Sequence, residues 1–553
     1  MTYTTSMPDW EKRITRRQSI IQKPLFPDTA EQALKIFKSL KIPDLAGKPT
    51  FGEASEEWIF DLVRAIFGFY DKETGKQLVR EYLILVSKKN TKSTVAAGIM
   101  LTALIMNWRE NEEHLIIAPT KEIADNSYKP ASSMIKADPF LKEMFHTRDH
   151  IRTIEHKTKR NTLKVVSAEN DALSGKKAGW VLVDELWVFG SKAKADGMLM
   201  EATGGQVSRD EGRTIYLTTQ SDEPPAGVFK EKLNYMRDVR DGKIIDDSSM
   251  PILYEFPENY IKNKLYLKPE NFYITNPNIN RSVNPDWIER ELEKALKKTD
   301  NSKQKFLAKH LNVEIDFALR NDNWAGAEYW VKASRDFDLD YIIKNSEVIT
   351  IGIDGGGLDD LLGLYILGRD VDNNWLGYGK AWVSRTALER RQEIAPKLHD
   401  FNLDGDVVIV EDVGEDLDEL IELIVKIDNT DLLDKIGCDP AGIGDILDGL
   451  ELAGIDKDKI VGVSQGWRLG GAIKTTERRL ADGSLTVSNQ NLMKWCVSNA
   501  KVEQRANSIL ITKQSSGTGK IDPLMAMFGA VYLMALNPES KGGLSFVLDP
   551  IIG

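Results

Sequence analysis

Between Trp58 and Leu217 the chain alternates short apolar runs with longer helix-like segments. The runs Tyr82–Val86, His114–Ala118, Thr162–Val166, Trp180–Val183 and Thr214–Leu217 predict buried strands. Val95–Asn107 and Lys121–Ile135, placed between them, predict helices. Such alternation predicts a parallel sheet covered by helices. A second alternating block begins near Val348. It predicts strands at Val348–Ile353, Gly363–Leu367, Trp375–Val383, Val407–Val410 and Lys435–Cys438, and helices at Arg385–Leu398, Leu417–Ile427 and Asp445–Ala453. Residues 1–50 read as a polar segment with one amphipathic stretch, Ala30–Leu40, and Glu223–Ala318 as helical and charged, with Trp287–Leu296 the clearest amphipathic part. The polar, aromatic-punctuated stretch Asp322–Asn345 shows no period and predicts a domain boundary. The expected organisation is a 1–50 segment, domains at 51–330 and 346–540, and a 541–553 tail.

A length of 553 residues suits two or three domains, and 42% hydrophobic with 28% charged residues suits a soluble globular chain. Cys438 and Cys496 are too few for a disulfide framework and fit a reducing compartment. None of the six histidines pairs with a cysteine at zinc spacing. A net charge of -11 argues against a protein that coats nucleic acid, but not against an enzyme with local basic patches. Met1 to Pro49 is polar and charged, which predicts no secretory leader. The apolar stretches Thr94–Trp108 and Pro523–Leu536 fall short of the roughly 18–20 residues that span a bilayer, and read as buried core helices.

Two sets of acidic residues carry candidate chemistry. Strand Tyr82–Val86 runs into Ser87-Lys88-Lys89-Asn90-Thr91-Lys92-Ser93-Thr94 and then a helix. That layout can wrap backbone N–H groups around phosphates, with Lys92 on the β/γ oxygens and the Ser93 hydroxyl on magnesium. Val86 and Thr91 stand where such a loop usually has glycine, and alone the segment also reads as a basic strand-to-helix turn. A left-handed backbone at Thr91 would be strained. Asp184-Glu185 ends an apolar strand, the end at which α/β sheets bind ligands. Asp184 would join a Mg²⁺ shell, and Glu185 would orient and deprotonate water. Thr218-Thr219-Gln220 ends a third strand, with side chains able to sense a γ-phosphate.

In the second block, Asp354 ends a run of β-branched residues, and Asp439 and Asp522 also follow apolar residues. Converging, they could hold two Mg²⁺ or Mn²⁺ ions for phosphodiester hydrolysis; singly, each reads as a turn or cap residue. Gly355-Gly356-Gly357 after the first would let a polyanion approach. Glu411 is a candidate fourth ligand, or an exposed strand-end acid. Arg468, Lys474, Arg478 and Arg479, then Lys501, Arg505, Lys513 and Lys520, bracket two of the three segments and suggest a path for DNA phosphates.

In combination these segments resemble the large terminase subunit of tailed bacteriophages, over about residues 30–540. Lys88–Ser93 is similar to that family's Arg-Lys-Asn-Gly-Lys-Ser loop, with Lys88 for arginine and Thr91 for glycine. Ile116-Ile117-Ala118-Pro119-Thr120 with Ala124, Leu173-Ser174-Gly175 before Val183-Asp184-Glu185, and Thr218-Thr219-Gln220 resemble successive ATPase motifs. Val463-Ser464-Gln465-Gly466, Trp495 with Ser498-Asn499-Ala500, and Gly519–Pro523 with Ala526 resemble those of its nuclease. Ile59 stands where the family often has a glutamine that reads adenine. The resemblance implies an α/β chain: a P-loop ATPase domain with a parallel sheet, then a ribonuclease H-like nuclease with a mixed sheet. It implies Asp354, Asp439 and Asp522 as the nuclease carboxylates, with Asp360 matching a further acid. It also implies ATP, Mg²⁺ and Mn²⁺, double-stranded DNA, a small terminase subunit, a portal protein, a homo-oligomeric ring, and the host cytoplasm. Two rivals stay open: a cellular DNA translocase or repair ATPase with an attached nuclease, and a structural packaging-vertex protein with degenerate sites.

Overall fold

The computed structural model describes residues 3–168, 178–192, 194–298, 302–315, 324–357, 360–412, 414–439, 444–505, 508–513 and 519–541; the side chains of residues 467, 504, 505, 508 and 513 lie outside this description. The chain divides into two compact units: Met1–Lys298 with Ser302–Ile315, and Asp316–Gly553.

The first unit is built on an eight-stranded sheet. In chain order its strands are β1 (Glu81–Leu85), β2 (Glu113–Ala118), β3 (Phe145–Arg148), β4 (Thr153–His156), β5 (Thr162–Ser167), β6 (Ala178–Asp184), β7 (Arg213–Thr218) and β8 (Ser249–Leu253). They lie in the order β8-β1-β7-β6-β2-β5-β4-β3, parallel from β8 to β5. The expected strands are present within a residue or two. β3 and β4 form an antiparallel edge hairpin whose mixed polarity hides it from a search for apolar runs. β8 arises from a region read as helical. Pro251 in its middle removes a ladder donor, which an edge strand tolerates.

Helix α1 (Pro27–Ser39) buries Ala30, Ala33, Leu34 and Phe37, the one-face spacing of an amphipathic helix. Met7, Trp10, Ile14, Ile20 and Ile21 join the same core, so the first fifty residues pack as part of this unit. Helix α2 (Lys92–Met106) is buried along most of its length, as its apolar sequence predicts. Helices α3 (Lys121–Ala137), α4 (Pro285–Leu296) and α5 (Ser302–Leu311) complete what positions the site.

The stretch expected to be a boundary is structured. Ala327–Ala333 and Leu339–Asn345 are helices, and Trp324 and Trp330 are buried in the second unit's core. Helices of seven residues are too short to display a clear period.

The second unit's sheet contains β9 (Val348–Gly355), β10 (Leu362–Arg369), β11 (Trp375–Ser384), β12 (Val407–Val410), β13 (Leu433–Cys438), β14 (Ile460–Gly462) and β15 (Leu485–Ser488). The order is β15-β11-β10-β9-β13-β14, with Ser334–Arg335 beyond β15 and β12 paired to β11. β9 to β11 are antiparallel and the other pairings parallel, so the sheet is mixed. The helix expected at Arg385–Leu398 is two, Arg385–Arg390 and Ala395–Leu403; Pro396 sits in the first turn of the second, where its missing N–H costs nothing. Helix α6 (Asp522–Met534) lies across β9 and β10. A Cβ at Gly352 would stand 1.9 Å from the Ala526 carbonyl oxygen, and one at Gly363 2.6 Å from Pro523 N. Those two glycines let the helix seat on the sheet.

Among the described residues no helix is long and apolar enough to cross a membrane.

Candidate functional site

In the first unit, register brings the motifs together. β7 lies between β1 and β6, with Leu85 opposite Thr218 and Leu217 opposite Asp184. All three strands are parallel, so the 87–91 loop, the acidic pair and Thr218–Gln220 leave the sheet at one carboxyl edge, where open α/β sheets bind ligands.

The loop is held from behind. Asn90 is fully buried; its Nδ2 donates to Ser87 O (3.1 Å) and Asn276 Oδ1 (2.9 Å), and its Oδ1 accepts from Asn278 N (3.0 Å). Asn278 Nδ2 donates to Thr91 Oγ1 (2.9 Å), and Ser282 Oγ to Lys89 O (2.6 Å). Thr91 and Lys89 have φ of 60° and 70°. The missing glycines therefore leave the left-handed turn in place, now braced by Asn278. Lys92 is buried, and its ammonium donates to the Val86 (3.2 Å) and Ser87 (3.3 Å) carbonyls. Burial pulls its pKa down, while Glu185 and Asp184 oppose that. Lys88 and Thr94 are half-buried beside it.

Asp184 is fully buried. Its Oδ2 accepts from Ser127 Oγ (2.7 Å) and Ser93 Oγ (3.4 Å); its Oδ1 has no hydrogen-bond partner among the described residues. Burial, then Glu185, pushes its pKa up to about 6. A buried carboxylate oxygen left over, beside a hydroxyl and an ammonium, is a donor set that fits a divalent cation with a polyphosphate. Glu185 has φ 52°. Its Oε2 accepts from Trp187 Nε1 (2.6 Å) and from Thr219 Oγ1 (3.5 Å). Thr218, Thr219 and Gln220 are buried; Gln220 N donates to Asn312 Oδ1 (3.3 Å) and its Nε2 to Glu314 Oε2 (3.4 Å).

In the second unit, β9 and β13 are parallel with Ile353 opposite Cys438, so Asp354 and Asp439 follow side by side. Asp522 opens α6, which the two glycines seat against β9 and β10. All three line one cavity of about 530 Å³ with Gly355, Gly356, Asp360, Gln465 and Thr512. Among the described residues no group of three or more His, Cys, Asp and Glu is close enough to hold a metal as it stands. The donors are hard oxygens, and the Cys438 thiol, pushed up to about 12 by burial, is no competing ligand. The set thus suits Mg²⁺ or Mn²⁺ rather than a thiophilic ion.

Other expectations change. Glu411 follows β12, is exposed, pairs with Arg385 (2.5 Å) and does not line the cavity. Asp360 does line it, ion-paired to Lys520, which is buried and so no exposed phosphate contact. Arg479 stacks on Trp375 (3.7 Å) and donates to Asn373 O, a structural engagement. Arg468, Lys474 and Arg478 are exposed and Lys501 half-buried. The Lys513 and Arg505 side chains and Leu173-Ser174-Gly175 lie outside the described residues. Gln465, within the Val463–Gly466 motif, donates to Asp354 Oδ1. Nothing in the sequence pattern marks Ser127, Asn276, Asn278 or Lys309, whose partners are remote in the chain, and Trp187, two residues from its partner Glu185, reads there as an ordinary apolar position.

The family model for the terminase large subunit ATPase domain matches residues 57–238, and that for its endonuclease domain matches 255–537, more than half of the chain. The chain belongs to the terminase large subunit family. It carries ATPase and endonuclease domains, which use nucleotide and divalent metal. The endonuclease match begins inside the first compact unit, whose packing continues to Ile315. The chain is 22% identical over 500 residues to the terminase large subunit of Lactococcus phage p2, covering 88% of this chain and 87% of that one. It is 21% identical over 481 residues to the terminase large subunit of Enterobacteria phage HK97, covering 86% and 90%. The crystal structure of the HK97 large terminase aligns with a TM-score of 0.47 at 20% identity, covering 91% of this chain and 99% of that one.

Proposed function

We propose that the first unit hydrolyses ATP to drive double-stranded phage DNA into a procapsid, and that the second cuts the DNA concatemer. The parallel register of β1, β7 and β6 carries the reading, because it gathers Lys92, Ser93, Asp184, Glu185 and Thr218–Gln220 at one sheet edge.

On this reading the Lys92 ammonium leaves the loop carbonyls for the β/γ phosphate oxygens, where its desolvated charge interacts strongly. Lys88, Asn90, Thr91 and Thr94 shape the phosphate loop. Ser93 and Asp184 would hold Mg²⁺, which when bound neutralises phosphate charge. Glu185 orients the attacking water and takes its proton. Thr218, Thr219 and Gln220 carry the change at Glu185 toward Asn312 and Glu314. In the second unit Asp354, Asp439 and Asp522 would hold Mg²⁺ or Mn²⁺, which supplies an activated water and stabilises the leaving oxygen. Gln465 orients Asp354, and Lys520 holds Asp360 at the rim. Arg468, Lys474 and Arg478 are exposed cations suited to phosphate contact. The partners of this reading are a small terminase subunit, a portal protein, and further copies of the chain in a ring, all in the host cytoplasm.

Steady-state ATPase and plasmid cleavage test it. Lys92→Ala and Glu185→Gln are expected to lose ATP turnover by about three orders of magnitude or more and keep cleavage. Cleavage is expected with Mg²⁺ and Mn²⁺ and absent with EDTA. ATPase within about threefold of the parent in both variants would overturn the ATPase assignment.

A further inference from the structure

Lys309, in α5, meets the phosphate loop through its carbonyl and the coupling strand and Trp187 through its side chain, and no motif contains it. Its side chain is 8% exposed. A buried ammonium is costly unless its donors are met. Here Nζ donates to the Gln220 carbonyl at 2.8 Å, stands 3.0 Å from the Trp187 ring centroid, and lies 3.8 Å from Asp222 Oδ1. The same Trp187 donates its Nε1 to Glu185 Oε2 (2.6 Å) and its backbone N to Thr218 Oγ1 (3.0 Å). The Lys309 carbonyl meanwhile accepts from Lys88 N at 2.7 Å, on the phosphate loop. One residue therefore touches the loop, the coupling strand and the indole that grips the water-activating carboxylate.

We propose that Lys309 is a positioning residue for ATP hydrolysis, clamping the Trp187 ring to the Gln220 carbonyl so that Glu185 and the coupling strand shift together. The proposal rests on the reading of Glu185 given above. A cation over an indole face is the strongest of the cation–π pairings, and it strengthens when desolvated. Lys309 fixes the plane of that indole, and the indole's N–H fixes the Glu185 carboxylate in turn. Burial, with Lys88 and Lys92 nearby, pulls the amine's pKa down to about 7, against Asp222 and Glu185.

The test is ATPase kinetics and fluorescent-ADP binding on the full chain, with Lys309→Met, Lys309→Arg, Trp187→Phe and the Lys309→Met/Trp187→Phe pair. Methionine fills the space and leaves no buried charge. We expect Lys309→Met to lower kcat by at least about tenfold while KM and ADP affinity stay within about threefold. Trp187→Phe, which keeps a ring but loses the N–H, is expected to cost a similar factor. The pair is expected to cost no more than the worse single change, because both break one linkage. Arginine, which also sits over indole, is expected to recover most of kcat. Unchanged kcat in Lys309→Met, additive losses in the pair, or a change in KM alone would overturn the proposal. If Lys309→Met does not fold, Trp187→Phe with normal kcat overturns it by itself. Glu185→Gln run in parallel separates the two readings: a fully active Glu185→Gln removes the role of Glu185, whereas an inactive one beside a normal Lys309→Met removes only the clamp.

Discussion

Ser127 Oγ, from the middle of α3, donates to Asp184 Oδ2 at 2.7 Å, closer than the Ser93 hydroxyl at 3.4 Å. The bond leaves Oδ1, buried and without a hydrogen-bond partner among the described residues, as the oxygen available to a cation. Ser127→Ala keeps the helix, since alanine is the better helix former, but frees the carboxylate to turn. Half-saturating Mg²⁺ for ATPase is expected to rise about tenfold, the usual cost of removing a hydrogen bond behind a metal ligand. Turnover at saturating Mg²⁺ is expected to stay near that of the parent. A Mg²⁺ titration superimposable on the parent's would remove Ser127 from the site.

Thr91 shows two opposed effects of known size. Its φ of 60° strains a β-branched residue by about 1–3 kcal/mol, which glycine would relieve. Its Oγ1 accepts from Asn278 Nδ2, a bond worth about 1 kcal/mol that glycine would lose. Glycine also adds backbone freedom to the unfolded chain. The three nearly cancel, so Thr91→Gly is expected to move the unfolding midpoint little and to leave nucleotide affinity within about threefold. Tenfold weaker nucleotide binding would mean that the threonine side chain itself contacts the nucleotide.

Most of both sheets was legible because buried parallel strands are continuous apolar runs, and the catalytic candidates sit at their ends. Asp354 and Asp439 could be paired only once β9 and β13 were known to be neighbours, since 85 residues separate them in the chain. The edge hairpin of β3 and β4 is hidden by polar alternation, and the edge strand β8 by Pro251. Trp324 and Trp330 punctuate the polar stretch whose pattern predicts a domain boundary, although both are core residues; an aromatic in a polar stretch signals burial only when its partners, here Phe528 for Trp324, are known. The back of the phosphate loop was invisible for the same reason: Asn90 and Asn276 are 186 residues apart.

His114, in β2, is fully buried next to Trp180, with Arg213 on that indole at 4.0 Å. Burial first, then Arg213 and Arg209, lowers its pKa from 6.5 to about 3. The unfolded chain therefore takes up a proton that the folded unit refuses between these values. Stability is present in full above about pH 6.5 and is lost as pH falls toward 3, at up to about 1.4 kcal/mol per pH unit from this residue. His114→Phe is expected to flatten that part of the curve. Thermal unfolding midpoints from pH 7 to 4 check it; parallel curves for the two proteins would assign the acid sensitivity elsewhere.

The cavity of the second unit separates two kinds of acid. Asp354, Asp439 and Asp522 line it, whereas Glu411 pairs with Arg385 on an exposed strand end. An exposed ion pair contributes about 0–1 kcal/mol, so Glu411→Ala is expected to leave both fold and cleavage nearly unchanged. Each aspartate→Ala change removes a candidate ligand and is expected to cost cleavage by at least about a hundredfold. Asp360→Asn falls between. It removes the charge of the carboxylate paired with buried Lys520, which costs stability as well as activity. Plasmid cleavage in Mn²⁺, read beside the unfolding midpoint of each variant, distinguishes these cases. Cleavage abolished by Glu411→Ala with an unchanged midpoint would mean that β12 turns its end toward the metal when DNA is bound. Normal cleavage by Asp439→Ala would displace the second carboxylate from β13.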